Sequence, residues 1–442
     1  MEKLISAVDK HRDLIYEAER YIWENPETGY KEDKTSEYLA SQFKKLGYEL
    51  VMADGITGFY TVIDTGRDGP EVLVLCELDS VICPSHKDAD SVTGAVHSCG
   101  HHAQCAALLG VAAALKEPNA LDGLCGKIRL CSVPAEELLE IEYRMKLREE
   151  GAIEYFGGKT EFLSRGYFDS VDLAFMVHTA PSFALDGGMV GCVVKKIVYK
   201  GVSAHAGGTP WNGVNALYAA NCGINAVNAI RETFKDSELI RVHPIMTMGR
   251  DMVNAIPERA VLESYVRGKS FEAILDVNRR VNRALIGAAL SVGANVEIID
   301  TPGYAPLEND TGMILAAKEA FERCGIEDTL HVSDGVSTGS TDMGDLSCVM
   351  PTLHAYAGGA EGIAHGNNYK IADVEKACVS SAKWQASLLC VLLGNGAEMA
   401  KRIISDFSPR FASKKEYLDY VDSIRSSGDR IVYNGDGAEI KL

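Results

Sequence analysis

The chain has 442 residues, with 62 acidic against 44 basic side chains and a formal net charge of −18. At about 150 residues per domain the length suggests two or three domains. The 46% hydrophobic content supplies a sizeable core, which excludes intrinsic disorder, a collagen-like chain and a disulfide scaffold. The acidic balance argues against nucleic acid or an anionic membrane as partner, since either calls for a basic footprint. No stretch approaches the ~20 apolar residues of a membrane span; the run from Val202 to Ile230 lacks charged residues, but Gly, Asn, Pro and His interrupt it. The N-terminus is charged and amphipathic without an apolar signal core. Twelve Cys spread through a long chain are expected to be reduced thiols of a cytoplasmic protein.

Helical periodicity opens the chain, with Leu4, Val8, Leu14, Ile15 and Ala18 on one face. A turn at Asn25-Pro26 follows, and Thr35 to Leu46 reads as a second amphipathic helix ended by Gly47. From Val51 short β-rich runs alternate with helices: Glu71–Cys76, Lys127–Val133 and Val171–Val177, with a small-residue helix from about His102 to Leu115 between the first two. Such alternation predicts an α/β domain with a largely parallel sheet flanked by helices. Between about Gly191 and Asp300 the texture changes, as the strands VVKKIVYKG and AVLESYVRG interleave with helices over Asn215–Arg231 and Phe271–Ser291. This segment reads as an inserted two-layer α+β domain. The α/β texture then returns with a helix over Thr311–Cys324, a strand over Pro351–Tyr356 and a long helix over Val374–Leu393. The predicted division is therefore 1–190 and 306–442 as two parts of one domain, with 191–305 inserted; the closing forty or so residues read as an exposed helical appendage.

In an open parallel sheet, ligands bind beyond the carboxyl ends of the strands. EVLVLC is followed by Glu77-Leu78-Asp79, KIRLCSV by Pro134-Ala135-Glu136-Glu137, VDLAFMV by His178, and PTLHAYA by Glu361 and His365. A further group, His97-Ser98-Cys99-Gly100-His101-His102, precedes the small-residue helix. Cys, His and Glu converging on one edge are ligand types for a borderline-soft divalent metal. Cys99 and His101, one Gly apart, reach a common ion if the glycine permits a strained turn. The Glu136-Glu137 pair suits a division of labour between metal ligand and general base. Taken singly, each residue has a plainer reading: a strand-end His is usually structural, a Glu pair often opens a solvated helix, and a lone Cys is usually a small buried hydrophobe. The inference rests on their coincidence of position. Gly158-Lys159-Thr160 resembles the end of a phosphate-binding loop, but Ile153 stands where that loop needs Gly.

These segments resemble the two-domain metallopeptidases that include aminoacylase and carboxypeptidase G-like enzymes. The resemblance is closer to their amidohydrolase branch: hippurate hydrolase, plant auxin-conjugate hydrolases and aminobenzoyl-glutamate hydrolases. It runs from about Tyr21 to Leu393 through ENPETGYKEDKTSEYL, CELDS, HSCGHHAQ, VPAEE, MVHTAPS, SAHAGGTPWNGVNAL, MVNAIPERAVLESYVRG and IAHGNNYKIAD, in order. The resemblance implies two divalent ions, zinc or manganese, bridged by Cys99, with His101, Glu137, His178 and His365 completing the ligands. Glu136 would be the general base, and Asp79 would orient a ligand imidazole. His205, from the lid of a neighbouring subunit, would polarise the scissile carbonyl, and Asn254 and Arg267 would hold the substrate's carboxylate. It further implies a homodimer through the inserted domain. The expected reaction is hydrolysis of the amide of an N-acyl amino acid or dipeptide-like compound.

Three departures stand out: His102 where the family has Asp or Asn, Gln104 in place of a later His, and the stretch 138–156 after the acid pair. His102 is expected to be a packed neutral residue, while 138–156 reads equally as a pocket cap or as a solvated helix. Two rival readings follow from the residues. In one, Cys99 is a thiol nucleophile with His97 or His101 as base; in the other, a non-catalytic binding protein retains the fold.

Overall fold

The computed structural model describes residues 2–249, 252–435 and 437–442. The chain divides into two units: Met1–Gly188, Leu307–Ser337 and Thr341–Lys414 form the first, and Met189–Pro306, Thr338–Ser340 and Lys415–Leu442 the second.

The first unit is built on an eight-stranded sheet. Its order is Val51–Met52, Phe59–Asp64, Lys127–Val133, Glu71–Glu77, Leu173–Thr179, Thr352–Ala357, Ala184–Leu185 and His331–Val332. From Lys127–Val133 to Thr352–Ala357 the neighbours run parallel, and Phe59–Asp64 joins them antiparallel. The Glu71–Glu77 strand, EVLVLCE, is buried at every position, which explains a run of apolar residues without alternation: helices cover both faces. The small-residue helix spans His101–Leu115 and is also buried throughout. Alanine and glycine let it sit close to its neighbours; a Cβ on Gly110 would press into Ile15. The predicted opening helix is two, Glu2–Lys10 and Arg12–Trp23, and the predicted Val374–Leu393 helix begins with a π turn at Glu375–Ser380 before Ser381–Leu393. Among the described residues no single helix is long and apolar enough to cross a membrane.

The second unit carries an antiparallel sheet ordered Arg241–Val242, Arg259–Gly268, Gly191–Lys200, Asn295–Pro302, with Ile245–Met248 also paired to Arg259–Gly268. Helices Ala216–Ile230 and Phe271–Ser291 share a core with it, through Ala219, Val227, Val277 and Leu285 against Ile197, Tyr199 and Leu262. Asn215 and Ser270 cap the two helices, accepting from the amides of Tyr218 and Ala273 at 3.0 and 3.2 Å. Inside, Lys195 is fully buried and donates to Asp300, Asn278 and Asn282.

The closing segment is mostly exposed and opens with the helix Lys414–Ser423, as expected of an appendage, but it is less detached than that. Residues 415–442 belong to the second unit and end in a hairpin of Ile431–Asn434 and Gly437–Ile440. Interleaved charges suggested a solvated surface, yet Tyr417, Val421 and Ile431 are buried anchors. Tyr420 meets the Phe271 ring at 5.1 Å, and Ser426 bridges to Asp300.

Candidate metal centre

Four parallel strands of the first unit deliver side chains to their carboxyl edge. Glu77 closes its strand and Asp79 follows; His178 sits one residue from the end of Leu173–Thr179. After Lys127–Val133 the chain turns through Ala135, held left-handed at φ 57, and presents Glu136 and Glu137. His365, also left-handed at φ 62, is tied by its amide to the Ser98 carbonyl at 2.7 Å. Gly100 has φ 102, and a Cβ there would collide with Thr179 Oγ1 and the Tyr369 hydroxyl. Only glycine makes that turn, which sets Cys99 and His101 side by side.

Donor atoms of Cys99, His101 and His178 lie within 4.8 Å of one another, as do those of Cys99, Glu137 and His365. Cys99 belongs to both groups. His101 Nδ1 lies 2.9 Å from the Asp79 carbonyl oxygen and 3.1 Å from its carboxylate, and His178 Nδ1 lies 2.9 Å from the Thr179 carbonyl oxygen. Bonds to those oxygens put the protons on Nδ1 and leave each Nε2 lone pair facing the cluster. His178 Nε2 is 3.4 Å from Cys99 Sγ, and His365 Nε2 is 2.9 Å from Glu137 Oε1. Buried His101 Nε2 and Glu137 Oε1 make no well-directed hydrogen bond, although each lies near an oppositely charged group. Soft thiolate, imidazole lone pairs and carboxylate with unsatisfied buried atoms fit a pair of divalent cations. Burial and the Glu137 carboxylate push the Cys99 thiol up, but the His101 and His178 rings outweigh them and bring it down to about 6. Burial, with Glu77 and Glu137 nearby, holds the Glu136 carboxyl well above the usual carboxylate range.

Behind the donors lie Lys159 and Asp342, which the sequence reading did not single out for the site. Lys159, fully buried, pairs with both Glu77 and Asp342. Glu77 Oε2 accepts from Gln104 Nε2 at 2.9 Å and lies 3.2 Å from His101 Nε2. The carboxylates of Glu77, Glu136 and Asp342 cluster within the same 4.8 Å limit, and three buried anions need such a cation among them. Gln104 thus occupies its departure from the family pattern as a donor to Glu77. His102 is buried, 4.9 Å from the Trp23 ring and 3.4 Å from Glu19, with burial lowering its pKa.

In the second unit, His205 and Asn254 stand together. The Ala206 amide donates to the Asn254 carbonyl at 3.0 Å, and His205 bridges to Ala255. Both residues are exposed. His205 Nδ1 accepts from the amides of Gly207 and Gly208 at 3.1 and 2.9 Å, so the ring's proton is on Nε2, free to donate outward. Arg267 is not brought to this corner. It lies near the far end of the Arg259–Gly268 strand, about 25 Å on at the rise of extended chain, with its guanidinium over the Tyr265 ring at 5.2 Å.

A sheet whose carboxyl edge gathers thiolate, imidazole and carboxylate donors, in a chain with a second antiparallel α+β unit, defines a two-unit metallohydrolase architecture. Residues 76–390 match the peptidase family M20/M25/M40. The chain belongs to that family, and it is a hydrolase. It is 29% identical over 387 residues to Xaa-Arg dipeptidase of Homo sapiens, covering 83% of this chain and 82% of that one. It is 24% identical to N-acetylcysteine deacetylase of Bacillus subtilis, covering 85% of this chain and 95% of the relative. Among solved structures, a dinuclear metal binding peptidase of the M20 family from Bacillus subtilis superposes with a TM-score of 0.63 at 21% identity, over 87% of this chain and 99% of its own. That likeness establishes the fold.

Proposed function

We propose that the protein hydrolyses the amide bond of N-acyl amino acids or dipeptides at a centre of two divalent ions, releasing a free amino acid. The observation that carries this reading is the pair of donor triads sharing Cys99, with Glu136 beside them. Relatives named as a dipeptidase and as a deacetylase of an N-acetylated amino acid support the substrate class. Cys99, common to both triads, would hold the ions together with His101, His178, Glu137 and His365; thiolate and imidazole suit zinc, carboxylates suit manganese. When bound, the ions supply Lewis acidity that polarises the scissile carbonyl and acidifies a water.

The protein's own residues do the rest. Glu136, beside both donor triads, takes the proton of the attacking water and passes it to the leaving nitrogen. Asp79 fixes the His101 ring. His205 donates its Nε2–H to the carbonyl oxygen as negative charge develops there, and Asn254 holds the substrate's carboxylate. We assign His205 to the centre of a second copy in a homodimer formed through the second unit. The exposed outer strand Ile245–Met248 and the exposed Trp211 and Tyr218 support that assembly. None of the twelve cysteines is in a disulfide, which favours a cytoplasmic location.

The test is amino-acid release from a pooled library of N-acyl amino acids and dipeptides, with chelated, zinc-reloaded and manganese-reloaded aliquots. Release that disappears on chelation and returns with one metal supports the reading. Release untouched by chelation, with alkylation of Cys99 blocking it, would turn the reading to thiol chemistry. No release from protein holding two metals would favour a binding protein.

A further inference from the structure

The segment 138–156 does not stay in solvent as a free helix. Its helix, Ile141–Glu149, sends Arg144 inward, where the side chain is only 1% exposed. A buried guanidinium is costly unless its donors are met. Here Nε has no hydrogen-bond partner, but Nη1 donates to the carbonyls of Ala135, at 3.2 Å, and Phe156, and Nη2 donates to the carbonyl of Glu137. Two of those three carbonyls flank Glu136.

The amides on either side of Glu136 are tied as well. Glu32, fully buried, accepts from the Ala135 amide at 2.8 Å, and Asp79 Oδ2 accepts from the Glu137 amide at 2.8 Å. The loop needs such holding because Ala135 is left-handed at φ 57, a conformation that a non-glycine residue keeps only when its surroundings impose it. The segment is itself fastened to the N-terminal motif: Glu140 accepts from Thr28 and Lys31, both at 2.6 Å, and the Tyr143 hydroxyl donates to the Tyr30 carbonyl at 3.4 Å. Gly29 completes the fit, since a Cβ there would run into Arg144 Nη2.

We propose that Arg144 is a positioning residue for catalysis: it clamps the backbone on both sides of Glu136 and so sets that carboxylate's place over the reacting water. This rests on Glu136 as general base. The 138–156 segment then acts on the rate of the chemical step and not on substrate choice.

Arg144→Met and Arg144→Lys are compared with the wild type and Glu136→Gln, per folded molecule loaded with two metals. Displacement of a base by about an ångström costs roughly 100-fold. The expected result is a kcat lower by that order in Arg144→Met, a smaller loss in Arg144→Lys, which retains a buried donor, and KM within about threefold of wild type in both. Wild-type kcat in Arg144→Met would overturn the proposal. So would a raised KM at unchanged kcat, which would make the segment a substrate contact, or failure of both variants to fold, which would make Arg144 a general structural residue. An active Glu136→Gln would instead remove the base assignment itself, whatever the Arg144 variants do.

Discussion

At the carboxyl edge of the eight-stranded sheet, Cys99, His101, Glu136 and Glu137 are each less than a tenth exposed. Asp79 accepts from the His101 ring and the Glu137 amide, Arg144 donates to the Glu137 carbonyl, and Glu32 accepts from the Ala135 amide next to Glu136. In the second unit, His205 and Asn254 stand exposed, steadied by a short ladder and two glycine amides. The difference is one of completeness. The first set has its geometry finished by the packing of its own unit, as a centre that must bind cations tightly requires. The second has its tautomer fixed but its surroundings open, which is what the proposed donation into a second copy's centre requires.

That contrast can be broken in graded steps. The largest effect is expected from Cys99→Ala, which removes the donor common to both triads: elemental analysis should find both ions lost and turnover at background, and a variant retaining two ions would refute the bridge. His205→Ala should keep its metals and lose about 10²–10³ in kcat, the usual cost of removing one donor to a developing oxyanion; metal loss in this variant would place His205 among the ligands instead. Ile245→Lys puts a charge on the exposed outer strand. Light scattering should show a monomer, and turnover should fall towards the His205→Ala level, recovering as protein concentration rises. A fully active monomer would show that His205 serves its own chain. The smallest effect on chemistry is expected from Lys195→Met, which strands Asp300 among Asn278 and Asn282. Breaking a buried ion pair costs about 3–5 kcal/mol, so the second unit should melt earlier while metal content stays at two.

Much of the fold was legible in sequence. The Lys127–Val133 strand and the Phe271–Ser291 helix fall where pattern placed them, because continuous apolar runs and 3.6-residue periodicity report burial directly. The site was legible where strand ends carried chemistry, since topology alone brings Glu77, Glu136, His178 and Cys99 to one edge. Lys159 and Arg144 were not. Each lies in a charged or glycine-bearing stretch whose pattern does not report burial, and only tertiary packing shows the anions or carbonyls that draw a cation inside. The attachment of the C-terminal segment was hidden for the same reason, as its anchors Tyr417, Val421 and Ile431 are too widely spaced among charges to read as a core stripe.

The most direct measurement is turnover of Glu136→Gln set beside its metal content, on the substrate that the library selects. Glutamine keeps the shape and cannot accept the proton. Turnover lower by about 10²–10⁴, the range for a lost general base, with two ions still bound, is the predicted result. Turnover near wild type would contradict Glu136 as the base, and loss of metal with activity would make it a ligand.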